Sequence, residues 1–168
     1  GTHFAPHAPY STSDAPLTRI RRLADELDLP VAMRLHETPY EVEQSLQAHG
    51  RRPLARLAEL GLASPQLVAI HMTQVAPEDM DTLAESGASV VHCPESNLKL
   101  GAGVCPVARL LGRGVRVALG TDGAASNNDL DLLAEARIAG LLASGVAATP
   151  GDLVAADLLR MATLEGAR

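Results

Sequence analysis

Short apolar runs recur along the chain, and each ends in a residue that can bind a proton or a metal. Val31–Leu35 runs into His36-Glu37, Leu67–Ile70 into His71, Ala88–Val91 into His92, and Val115–Gly120 into Thr121-Asp122. A shorter stretch around Thr2–Ala5 precedes His7 in the same way. The runs are separated by helical patterns, which is the βα signature of an α/β fold with a parallel sheet. In such folds ligands bind at the carboxyl ends of the strands. One histidine at a strand end is ordinarily structural. Titratable groups at five successive strand ends point to a site.

The intervening helices carry readable boundaries. Leu17, Ile20, Leu23, Ala24 and Leu27 fall at three- and four-residue steps, an apolar stripe that Pro30 is expected to stop. Thr38-Pro39-Tyr40-Glu41 reads as an N-cap, a proline at the first helical position and a capping-box glutamate, opening a helix to about Gly50. Further helices are expected at 53–61, 77–86, 106–111 and 129–144, and a last one to Ala162 capped by Thr149-Pro150-Gly151-Asp152. The stretch Cys93–Cys105 shows no clear period and reads as a long loop. Connections are otherwise short, so residues 1–168 read as one domain.

Composition narrows the function classes. Hydrophobic residues make up 46% and charged residues 20%, a globular balance. A net charge of −6 argues against nucleic acid as a partner. No apolar run approaches the roughly 18 residues of a membrane span. Two cysteines make no disulfide framework, so a reducing cytoplasm is the expected compartment. The chain opens on Gly1-Thr2-His3-Phe4, which reads as the interior of something longer.

Asp122 lies in Gly120-Thr121-Asp122-Gly123, where Asp-Gly is also ordinary turn chemistry. Beside strand-end histidines it is equally a metal ligand, because Zn²⁺ accepts imidazole nitrogen and carboxylate oxygen. Glu37 is a candidate proton shuttle, against the simpler reading of a carboxylate at a helix N-terminus.

Five motifs occur in order: Pro6-His7-Ala8-Pro9-Tyr10, Leu35-His36-Glu37-Thr38, His71-Met72, His92-Cys93-Pro94-Glu95-Ser96-Asn97-Leu98-Lys99-Leu100, and Leu119-Gly120-Thr121-Asp122-Gly123-Ala124-Ala125-Ser126-Asn127-Asn128. Together they resemble the amidohydrolase superfamily. Within it they are most similar to the deaminases of S-adenosylhomocysteine and 5-methylthioadenosine, with the triazine chlorohydrolases behind them. The resemblance implies a (β/α)₈ barrel, of which this chain holds roughly strands four to eight, and a divalent metal site, usually zinc. It implies hydrolytic deamination of a purine nucleoside or related heterocycle. By position it makes Asp122 the metal ligand and a proton-transfer group, Glu37 the acid/base that also touches the substrate ring, His71 the polariser of the attacking water, and His7 a contact to the sugar.

Two departures stand out. The His-x-His pair that the family carries on its first strand is absent from these residues. The family also has a metal-binding histidine three residues before the catalytic glutamate, and that position is Arg34. Arginine keeps its proton and does not ligate zinc. His36 shares the strand face of Arg34 by alternation, but stands about 6–7 Å further along. With Asp122 alone retained, little bound zinc is expected in this chain. A catalytically inactive, self-associating member of the same fold is the competing reading. A doubly wound binding domain ranks behind both, for want of a glycine-rich phosphate loop.

Overall fold

The computed structural model describes residues 2–147 and 153–167. Four parallel strands form one sheet: β1 (Val31–Leu35), β2 (Leu67–His71), β3 (Ser89–His92) and β4 (Arg116–Leu119). Each strand pairs with the one before it, so the order along the sheet is that of the chain. A doubly wound sheet reverses its order at a switch point, and this one does not. Phe4 bridges Val31 in parallel, and its backbone exchanges bonds with Pro30 and Ala32 across the outer edge of β1. The stretch around Thr2–Ala5 therefore lies beside the sheet, although only one bridge forms.

Helices connect the strands. α1 (Asp14–Leu27) precedes β1, and α2 (Pro39–His49) and α3 (Pro53–Glu59) lead to β2. α4 (Pro77–Ser86) joins β2 to β3, and α5 (Pro94–Lys99) and α6 (Val107–Leu111) join β3 to β4. α7 (Leu132–Ala147), α8 (Ala155–Ala162) and α9 (Leu164–Ala167) follow β4. Three expectations are corrected here. The stretch Cys93–Cys105 is not an irregular loop, because α5 occupies half of it. α1 ends at Asp28, whose left-handed φ of 50° caps it two residues before Pro30, and Leu27 is exposed and leaves the buried stripe. α7 starts at Leu132 and not at Asp129, because Asn127 and Asp129 are used as caps for the amides ahead of it. The expected cap Thr149-Pro150-Gly151-Asp152 lies outside the described residues.

The alternation of each strand sets its two faces. Val31, Met33 and Leu35 of β1, Leu67 and Ala69 of β2, Val90 of β3 and Val117 of β4 are buried in one apolar cluster with Leu17, Leu54, Leu57, Met80, Leu83 and Leu110 from the helices. The opposite face carries Ala32, Arg34, Val68, Ile70 and Val91, all half-buried. Register puts Arg34 beside Ile70, Ile70 beside Val91, and Val91 beside Ala118. Gly120 closes the β4 end of this row. A Cβ there would sit 2.7 Å from Val91 Cγ1, so only glycine lets the segment bearing Asp122 come so close to β3.

Candidate active site at the strand ends

The chain leaves the sheet through strained backbone. His36, His71, Met72 and Asp122 all have positive φ, at 52°, 80°, 47° and 58°. Non-glycine residues hold such angles only where surrounding contacts over-determine them, and these sites cluster where chemistry occurs.

The turn after β1 is pinned by Glu41. Thr38 caps α2 by accepting from the Glu41 amide at 3.3 Å, as expected. The Glu41 carboxylate, however, reaches past the cap to the amides of His36 and Glu37, at 3.0 and 2.8 Å. It therefore fixes the backbone that carries Glu37. Burial pushes the Glu41 carboxyl up to about 7 despite those two amides.

His36 turns away from the open face. Its Nε2 accepts from the Leu54 amide at 3.0 Å, which leaves Nδ1 to donate to the Gln74 carbonyl at 2.9 Å. Both nitrogens are spent on backbone groups and the ring is fully buried, so His36 is no substitute for the ligand missing at Arg34. Strand alternation failed here because the left-handed φ at His36 ends the β geometry one residue early.

His71 turns the other way. Asn97 of α5 places its Oδ1 2.8 Å from Nδ1 of His71, and an amide oxygen can only accept. Nδ1 therefore carries the proton and Nε2 keeps a lone pair. That Nε2 is buried without a hydrogen-bond partner, 3.7 Å from Glu37 Oε1 and 3.9 Å from Asp122 Oδ2. Burial holds the His71 pKa below its ordinary value, against the pull of Glu37, Asn97 and Asp122. Three of the residues singled out in the sequence thus converge: Glu37, His71 and Asp122. His7 does not join them. It is exposed, its Nδ1 lies 3.2 Å from the Ser11 hydroxyl, and its ring packs edge-on to Tyr10. His92 is buried at the end of β3, where desolvation lowers its pKa to about 4.

Asp122 is held on both oxygens. Ser96 donates to Oδ2 at 2.9 Å, and the Arg34 guanidinium donates to Oδ1 at 2.6 Å. Burial alone would raise the Asp122 pKa, but Ser96, Arg34 and His71 outweigh it and the net position is below the ordinary carboxylate value. Arg34 also sets Nη1 3.5 Å from each oxygen of Glu37. Behind this layer, Glu135 of α7 accepts from Asn127 and from the Glu95 amide, tying the segment after Asp122 to the start of α5. Ser96, Asn97, Glu41 and Glu135 were not singled out in the sequence as site residues. The first two lie in a quoted motif, so the motif itself was the signal.

The fold and this arrangement define a member of the amidohydrolase family, and the chain belongs to it: the family's sequence model matches residues 1–168. A 5-methylthioadenosine/S-adenosylhomocysteine deaminase of Teredinibacter turnerae is 54% identical over 166 residues, covering 99% of this chain and 38% of that protein. A 5'-deoxyadenosine deaminase of Methanothermobacter thermautotrophicus is 46% identical, over 98% and 39%. Among solved structures, an adenosine deaminase of Xanthomonas campestris with bound zinc superposes with a TM-score of 0.97 at 54% identity, over 99% of this chain and 38% of that one. An atrazine chlorohydrolase of Arthrobacter aurescens complexed with zinc gives 0.90 at 28% identity, over 97% and 36%. The chain spans somewhat under two fifths of the length of these relatives, and its parallel sheet is part of a (β/α)₈ barrel.

The neighbouring adenosine deaminase and atrazine chlorohydrolase structures hold zinc. A catalytic zinc takes about three protein ligands and a water. Among the described residues no group of three or more His, Cys, Asp or Glu side chains is arranged to hold an ion. Asp122 is already occupied by Arg34. The residues present do not fit the metal.

Proposed function

We propose that this chain supplies the acid/base side of a hydrolytic site that removes the exocyclic amino group of an adenine-type nucleoside. The observation that carries the reading is the convergence of the unpartnered Nε2 of His71 on Glu37 and Asp122. The names of the relatives supply the substrate class. In this reading water attacks the amino-bearing carbon. The lone pair on His71 Nε2 orients that water, and Asp122 takes its proton. Glu37, in its acid form, gives its proton to the ring nitrogen. As the tetrahedral adduct collapses, Asp122 passes the proton it took from water to the departing ammonia and Glu37 takes back the hydroxyl proton, leaving an oxo-purine. His7, beside the turn at Pro9, contacts the sugar. No step is routed through a metal, because the described residues offer it no ligand set. We further propose that residues 1–168 act as one domain in the cytoplasm, with neither nucleic acid nor membrane as a partner; among the described residues no helix is long and apolar enough to cross a membrane.

Ammonia release from adenosine-type thioether nucleosides tests the reading. Positioned acid–base groups contribute about 10²–10⁴ in rate, so Glu37→Gln is expected to cut turnover by at least about 10². A Glu37→Gln protein that releases ammonia at the parental rate would leave Glu37 as a helix-start carboxylate only. A second reading has its own observation. The 2.6 Å Arg34–Asp122 pair favours a non-catalytic, self-associating member of the fold. Absence of any ammonia release by the parental protein supports that one.

A further inference from the structure

The acceptors at the strand ends make a site for positive charge. Two carboxylates and an imidazole lone pair face one another across less than 4 Å, and the Asn97 bond removes the proton that His71 would need to neutralise them from Nε2. Arg34 supplies the charge from within. Its guanidinium, permanently protonated, bonds Asp122 Oδ1 at 2.6 Å and lies 3.5 Å from both oxygens of Glu37. The side chain is anchored for this purpose, since the Arg34 amide bonds the His7 carbonyl and its strand position faces the open side of the sheet. A divalent ion placed on Asp122 would meet that fixed cation on the same carboxylate. Lysine would give a point charge here, whereas the planar fork of arginine spans both carboxylates at once.

We propose that Arg34 is the resident cation of this site: it stands on Asp122 and Glu37 in place of a divalent metal and keeps such a metal out. The proposal goes beyond the deaminase reading and does not depend on turnover. It makes the charge of the site part of the polypeptide, insensitive to chelators.

Zinc uptake by the whole 168-residue chain tests it, read by elemental analysis after dialysis and by calorimetric titration with Zn²⁺ alone. The parental chain is expected to retain far less than one zinc per chain. Arg34→Gln, which keeps a hydrogen-bonding side chain and removes the charge, is expected to bind Zn²⁺ at least about tenfold more tightly. Adding Asp122→Asn is expected to abolish that gain, which locates the ion. Arg34→His is the second variant should Arg34→Gln fail to fold, with the same expected gain. A parental chain holding about one zinc that Asp122→Asn removes would overturn the proposal. So would folded Arg34→Gln and Arg34→His proteins that take up no more zinc than the parent. Ammonia release is measured separately, so either reading can fail while the other stands.

Discussion

Asn97 decides what kind of base His71 is. Its side chain is almost fully buried, and its Oδ1 meets the ring nitrogen that points away from Glu37 and Asp122. A neutral acceptor there fixes the tautomer and leaves Nε2 unprotonated. A carboxylate in the same place would stabilise the doubly protonated ring, because an opposite charge within about 4–6 Å favours the charged form of an imidazole. Asn97→Asp is therefore expected to move the His71 titration upward, read by NMR of the imidazole protons. The proposed role of His71 requires a free lone pair, so any ammonia release would then fall off at the acid side of the profile at higher pH than in the parent. An unmoved His71 titration would show that Asn97 does not govern it. The same reasoning separates three buried histidines that look alike in the sequence. His36 spends both nitrogens on backbone groups, His92 is held neutral by burial, and His71 alone presents Nε2 to two carboxylates.

At the scale of elements, the turn from β1 to α2 couples stability to pH through Glu41. Its folded pKa is raised from 4.5 to about 7, so between those values the folded chain binds a proton that the unfolded chain has lost. The sign follows. The protonated form favours folding, the contribution is complete below the unfolded pKa, and it is lost as pH rises through about 7. Its size is of the order of 3 kcal/mol at most, at 1.36 kcal/mol for each pKa unit. Glu41→Gln is expected to flatten the fall in denaturation midpoint between pH 5 and pH 8, an interval set by these two values. Equal slopes in the two proteins would mean that Glu41 stays ionised on its two amides. The cap was legible beforehand, since Thr38, Pro39 and Glu41 have the required spacing, and so were all four strands, whose apolar runs stand within a residue or two of the observed bounds. What the pattern could not show was where side chains turn once the strand geometry ends. The positive φ at His36 sends its ring under α3 and not onto the Arg34 face. α5 escaped notice because Pro94–Lys99 is short and mostly polar, with Ser96 and Asn97 buried for their bonds and not for hydrophobicity. The partner of Arg34 was equally hidden, as Asp122 lies 88 residues away and only the parallel stacking of four strands brings the two together.

For the whole molecule, the sheet decides what the isolated chain does. Helices cover one face, and the apolar cluster lies between them and the strands. The other face presents Ala32, Val68, Ile70 and Val91 half-buried around Arg34. Parallel sheets are ordinarily covered on both faces, and contiguous apolar surface beyond a few hundred Å² marks an interaction site. Along the outer edge of β1 the Ala32 and Arg34 amides already bond the Phe4 and His7 carbonyls, so the open face and not this edge is the surface left to cover. The chain in isolation is therefore expected to self-associate through this face, burying Ile70 and Val91 against a second copy. Light scattering is expected to report a mass above 17.5 kDa that rises with concentration. Ile70→Asp, at the centre of the half-buried row, is expected to shift the population toward monomer while leaving the covered face intact, since Ile70 is outside the buried cluster. A parental chain that stays at 17.5 kDa across the accessible concentrations would mean that the open face tolerates water, and that Arg34 with its carboxylates makes it polar enough to do so.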